Sequence, residues 1–285
     1  MEPRNVAVWL EALRPHKGLS PALDRVLQTL ITNPKIASYG EVGDIASRAQ
    51  VNPSSVVRCA QALGFEGWPA LQRELRAKYL ASLTSEETFQ TRRKGPLGPG
   101  HSAFQQDIQN LKDALESVEP AEIDAVIRRI AGSARVVVAA TGTFAAPGQV
   151  LAHLGSALGY PITAETRGAV HLSAALTGFG PEDTLVVLTA WRPIGDLVRS
   201  ARLARHRGAR VIAVTDLRRG PFAELADHIL VVPSEGVSFF QSVTAATSLM
   251  YGIVDGLANV DVDRTREQLA AAQQSWEILQ TYESS

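Results

Sequence analysis

The chain has a single cysteine, Cys59, in 285 residues. No disulfide can close within it, and no zinc cluster of the thiolate kind can be assembled. Cys59 falls on the apolar side of a helical pattern, where a small buried hydrophobe is the expected role. An unbroken apolar run is missing from residues 1–18, MEPRNVAVWLEALRPHKG, which excludes a secretory signal core there. Residues 136–164 and 236–254 carry no Lys, Arg, Asp or Glu. The first stretch is cut by Gly142, Pro147, Gly148, Gly155, Gly159 and Pro161 into strand, helix and strand. The second is long enough to span a bilayer, but Ser238, Gln241, Ser242, Thr244, Thr247 and Ser248 mark it as a buried core helix. A soluble, cytoplasmic protein is the expectation.

Signatures of chemistry are scarce as well. No HExxH, GxSxG or P-loop occurs, and the Thr141-Gly142-Thr143 turn lacks the full glycine pattern of a dinucleotide site. His153 and His171 sit in helical patterns. No catalytic residue, metal or cofactor is expected.

Apolar residues make up 45% and charged residues 20%, an ordinary globular balance, and the length suggests about two domains. Net charge is only −1, but residues 1–95 carry +4 and residues 96–285 carry −5. A basic front and an acidic rear fit a nucleic-acid-binding head on a body that does not bind nucleic acid.

The most informative stretch is residues 42–65. Ile45, Ala46 and Ala49 form one short apolar stripe, and Val56, Cys59, Ala60 and Leu63 form a second. Between them Asn52 can cap a helix that Pro53 opens, which gives helix, tight turn and helix. Such a unit lays the start of its second helix in the DNA major groove. The outward set is Asn52, Ser54, Ser55, Val57, Arg58 and Gln61. Arg58 can fork onto guanine, the serines can bond base edges or phosphate, and Val57 can meet a thymine methyl.

Around this unit a leading helix is expected over residues 6–13 and a clear one over 21–31, capped by Ser20 and stopped by Asn33-Pro34. The motif helices follow at 39–48 and 53–63, and a last one at 68–80 offers Arg73, Arg76 and Lys78 to phosphate. Residues 84–102 have the composition of a linker, in which Arg92-Arg93-Lys94 could brush DNA. Ile108, Leu111 and Leu115 then form one helical face, and Ile123, Val126, Ile127 and Ile130 another.

Beyond residue 134 the rhythm changes. Short β-branched runs at 135–140, 161–164, 184–189, 210–214 and 228–232 alternate with helical patterns at 145–158, 169–177, 194–207 and 221–226. That alternation predicts a doubly wound α/β domain on a five-stranded parallel sheet. A helix over 237–257, carrying Phe239 and Phe240 near its start as subunit contacts, and a packed terminal helix over 264–282 complete it. The expected division is a helix-turn-helix domain at 1–83, a linker at 84–102 and an α/β domain at 103–285.

Residues 19–80 resemble the N-terminal domain of the RpiR-type bacterial transcriptional regulators. The tokens are LSPALDRVLQTLITNP, IASRAQV, PSSVVR and LGFEGWPALQREL. Gln50 stands where such turns often hold Gly, so its backbone must tolerate a left-handed conformation. Residues 134–257 resemble a SIS (sugar isomerase) domain, through ARHRGARVIAVTD, ELADHILVVPSEG and SFFQSVTAATSLMYGIV. The resemblance implies a homodimeric or homotetrameric regulator, more a repressor than an activator. Its head would bind a palindromic operator, and its SIS domain would sense a small metabolite such as a sugar phosphate or other anion. The rival is a sugar-phosphate isomerase with an accessory helical domain, for which Glu235 is the candidate base.

The likeness departs at the ligand. Sugar-phosphate sites of this family place a serine after the first glycine turn and an SxSGxT loop after the third strand. Here Phe144 stands near the first serine, and Trp191 and Arg192 replace the later Ser and Gly. The effector set expected from the strand ends is Thr141, Thr143, Thr189, Trp191, Arg192 and Glu235, with Arg167 a weaker candidate. Either Arg192 supplies the anion contact by its side chain, or the phosphate site has been lost.

Overall fold

A computed structural model describes residues 6–84, 86–88, 99–237 and 240–279. Phe239 and the Arg92-Arg93-Lys94 run lie outside them. Chain contacts divide the protein into two compact units, Met1–Lys94 and Gly95–Ser285.

The first unit is helical: α1 (Val6–Ala12), α2 (Pro21–Thr32), α3 (Pro34–Tyr39), α4 (Val42–Ala49), α5 (Pro53–Ala62) and α6 (Trp68–Ser82). Asn33-Pro34 ends α2 as expected, with Asn33 at its C-cap, and Pro34 then opens a further helix, α3, at a first-turn position where its missing N–H costs nothing. Both predicted apolar stripes are buried, and they close one core with Leu10, Val26, Leu27, Leu30, Trp68, Leu71 and Leu75. Ser20 and Asn52 occupy the cap positions of α2 and α5, but neither side chain makes a cap hydrogen bond. The extended backbone at Ser20 and Asn52 and the proline after each start these helices instead.

The second unit opens with α7 (Pro99–Ser117), which begins inside the stretch expected to be linker, and α8 (Pro120–Ala131). Five strands follow: β1 (Arg135–Ala140), β2 (Ile162–Glu165), β3 (Asp183–Leu188), β4 (Arg210–Thr215) and β5 (His228–Val231). All pair in parallel in the order β2-β1-β3-β4-β5. The helices between them are α9 (Ala145–Ala157), α10 (Ala169–Ala175) and α11 (Gly195–His206), and the chain ends in α12 (Thr244–Val260) and α13 (Val262–Ile278).

Alternate residues of the strands feed two cores. Val136, Val138, Val186, Leu188, Ile212 and Val214 pack under α8, α9 and α12. Val137, Leu185, Val187 and Val211 pack under α10 and α11. Burial on both faces explains why the strands look like continuous apolar runs. At Gly256 an added Cβ would lie 2.2 Å from the Ile127 side chain, so the glycine is what lets α12 approach α8.

Three expectations fail here. Residues 221–226 are turns rather than helix. The closing helix starts at Thr244, not 237. The terminal helix α13 touches its unit, with Arg264 over the Tyr160 ring, but buries no residue of its own.

Candidate functional site

The surface built by residues 42–65 begins at the turn. Gln50 adopts φ 52°, ψ 52°, the left-handed conformation its position required. The Val51 N–H donates to the Ala46 carbonyl at 3.0 Å, the bond that closes a helix end of this type. Arg25 donates to the Ala49 carbonyl at 3.2 Å, which ties α2 to the same turn. The same closure recurs after α5, where Phe65 N–H reaches the Ala60 carbonyl at 3.0 Å past Gly64, φ 85°.

The turn fixes α5 with Val56, Cys59 and Ala60 inward and the polar face outward. Asn52, Ser54, Arg58 and Gln61 are exposed, and Arg58 makes no ion pair with any described residue. Ser55 is half-buried, and Val57 packs partly against the core, so its methyls are less available to a duplex than expected. Burial pushes the Cys59 thiol up to about 12, and it donates to the Leu23 carbonyl at 3.5 Å. That is the chemistry of an inert packing residue.

Two of the three cations expected on α6 are engaged within the unit. Arg76 donates to the Ser38 carbonyl at 2.9 Å and covers the Tyr39 ring at 5.0 Å. Lys78 is buried with Nζ 5.9 Å from the Trp9 ring. Their long stems serve the core, a use that charge alone conceals.

In the second unit the strand order reverses between β1 and β3, where open parallel sheets leave a crevice. A cavity of about 170 Å³ lies there, walled by the Thr141–Phe144 turn, by residues 188–192, and by Ile194 and Gln241. Five expected residues share it: Thr141, Thr143, Thr189, Trp191 and Arg192. Glu235 is not on its wall; its backbone carbonyl accepts from Asn110 at 2.7 Å. Arg167 is paired with Glu165 at 2.6 Å, beside the end of β2. His153 and His171 are exposed on their helices.

Phe144 and Trp191 are 7% and 8% exposed, so both large rings are wall rather than rim. Trp191 is left-handed, φ 63°, where an L residue loses roughly 1–2 kcal/mol. Asp216, which follows β4, holds it there. Its two carboxylate oxygens accept the Trp191 N–H at 2.8 and 3.0 Å, and one accepts the Ser234 hydroxyl at 3.2 Å. Burial pushes the Asp216 carboxyl up to about 6; the Trp191 and Ser234 donors oppose this, and the charge of Glu235 adds to it. Sequence reasoning missed this role and that of Gln241. The available signal was an acid in VTD, directly at a strand's carboxyl end.

Comparison with known proteins agrees with both halves. Residues 9–82 match the helix-turn-helix domain of the rpiR family, and residues 129–254 match the SIS domain. The HTH-type transcriptional regulator RpiR of Escherichia coli (strain K12) is 23% identical over 244 residues, 84% of this chain and 80% of that one. The regulator HexR of Pseudomonas aeruginosa is 25% identical over 222 residues, 75% of each chain. The solved sugar isomerase domain of an RpiR transcription factor from Sphaerobacter thermophilus is 28% identical, with TM-score 0.59, over 61% of this chain and 98% of that one. The Vibrio vulnificus NanR protein, solved with ManNAc-6P, shares the fold at 17% identity and TM-score 0.58, over 96% of this chain and 99% of that one. Among the described residues no helix is long and apolar enough to cross a membrane.

Proposed function

We infer that the chain, which belongs to the RpiR-type transcriptional regulators with an N-terminal helix-turn-helix domain followed in sequence by a SIS domain, regulates transcription. On that premise we propose that it is a repressor that binds a palindromic operator as a homodimer or homotetramer. Its SIS domain would sense a small metabolite in the cavity between β1 and β3 and perform no catalysis. The observation that carries the reading is the exposed polar face of α5, with Arg58 outward and in no ion pair among the described residues while the opposite face is buried. A solved relative holds a sugar phosphate, which makes a sugar derivative the first class to consider for the effector. Effector binding would favour one state of the regulator over another, by as much as its affinities for the two differ.

Oligomerisation is supported by α7. Its polar side is fastened to its own unit: Asp107 accepts from Thr244 at 2.7 Å, Asn110 donates to Glu235, and Ser117 donates to the Val231 carbonyl at 3.0 Å. Its apolar residues Phe104, Ile108 and Leu115 point to solvent, at 72%, 52% and 84% exposure. Ile108 and Leu115, expected to turn inward, therefore turn outward, while Leu111 of the same face packs on the core, as does Ala114.

A mobility shift on DNA upstream of the protein's own coding region tests the reading. Arg58→Ala is expected to lose base preference at the contacted position, roughly 1–3 kcal/mol for a broken bidentate contact. Sequence preference identical to wild type would remove Arg58 from the reading set.

A further inference from the structure

We propose that the cavity between β1 and β3 takes an unphosphorylated sugar or polyol of monosaccharide size, not a phosphate ester. This rests on the sensor reading above and narrows its ligand.

Proteins hold phosphate with free backbone N–H groups, small hydroxyls and cations converging on one point. Three amides of the loop after β3 are already committed to acceptors of the protein itself. Thr189 N–H donates to the Val214 carbonyl at 3.0 Å, and Arg192 N–H to the Ala190 carbonyl at 2.7 Å. Trp191 N–H is held by both oxygens of Asp216, and Pro193 has no N–H to offer.

Charge points the same way. The Asp216 carboxyl lies directly behind the loop and accepts the Trp191 N–H, where a phosphate would need donors and positive potential. The first turn of α11, which could attract an anion through its helix dipole, already holds Asp196, paired with Arg199. Arg192 is the only cation among the lining residues, and its guanidinium stacks over the Trp191 ring at 5.4 Å.

What the walls offer suits a neutral, hydroxylated ring. Thr141, Thr143 and Thr189 bring hydroxyls, Gln241 an amide, and Phe144 and Trp191 apolar surfaces for the C–H faces. The Thr141 Oγ1 is buried without a hydrogen-bond partner among the described residues. That unmet bond calls for a ligand with a hydrogen-bonding group at this point on the wall, as a ring hydroxyl would supply. At about 170 Å³ the space is small beside the roughly 300–1,000 Å³ of drug-sized sites, and suits one ring.

The test is calorimetric titration of the full chain with matched pairs: aldoses, ketoses, amino sugars and inositols, each with its phosphate ester, and inorganic phosphate alone. The expected result is that an unphosphorylated member binds at least about tenfold more tightly than its ester, with no heat from inorganic phosphate. Thr141→Val should abolish that binding while the ligand-free protein melts no lower than wild type. Tighter binding of an ester overturns this inference and leaves the sensor reading standing. Binding of neither class removes the sensor reading of this cavity, and the inference with it.

Discussion

At Gln50 and Trp191 the backbone is left-handed although neither residue is glycine. Gln50 is held by the hydrogen bonds that close α4 and by Arg25, not by any preference of its own. Gln50→Gly should therefore stabilise the first unit by about 1 kcal/mol, less than the full left-handed penalty because glycine also loosens the unfolded chain. Urea unfolding measures it, and a loss of stability would show that the glutamine side chain contributes something unseen here. Trp191 is held by Asp216, whose carboxyl is raised from 3.8 to about 6 by burial. The folded chain thus keeps that proton where the unfolded chain has released it. Stability should fall as pH rises from 3.8 to about 6 and level off above. Asp216→Asn should remove that segment of the profile. Asp183, held below its ordinary range by the Arg135 guanidinium, acts in the opposite sense and at lower pH, so the two effects separate. An Asp216→Asn profile that runs parallel to wild type across that range would mean Asp216 is not raised.

Among the elements, α7 was the least legible. Its sequence has an apolar stripe that looks like a core stripe, because periodicity reports that one face is apolar and not what covers it. The residues that anchor α7, Asp107, Asn110 and Ser117, are polar and carry no such signal. Phe104→Asp is expected to leave the melting temperature nearly unchanged, since exposed substitutions usually stay within about 0.5 kcal/mol. It should reduce the assembled mass seen by light scattering. An undiminished mass would move the subunit contact elsewhere, with α13 next in line: Leu269 and Ile278 are 47% and 73% exposed there, on a helix that buries nothing. Helix α5 was legible because its two faces differ in chemistry, and Pro53 marks its start.

For the whole molecule, the proposed sensing and DNA binding would be two equilibria on one chain, and thermodynamics would make their coupling reciprocal. A sugar that changes operator affinity by some factor must have its own affinity changed by operator DNA by the same factor. Titrating the sugar with and without saturating operator measures this, and equal affinities in both would separate the cavity from regulation. The two-part organisation was visible beforehand in charge asymmetry and in the switch from helical to β-branched rhythm near residue 134. The boundary was less so, because Pro99 and Gly100 look like linker yet open a helix, where proline and glycine are tolerated in the first turn.

By itself the sequence determined most of the element types, the parallel sheet and the buried face of α5, because apolar periodicity is a local property and burial follows it. It also placed Thr141, Thr143, Thr189, Trp191 and Arg192 at strand ends. Only the tertiary structure decided that these five share one cavity and that Glu235 is not on its wall. It alone showed that Asp216 consumes the Trp191 amide and that Arg76 and Lys78 are spent on rings within their own unit. Hydrogen-bond partners 25 or more residues away leave no periodic trace, since each depends on where a loop comes to rest after the strands have paired.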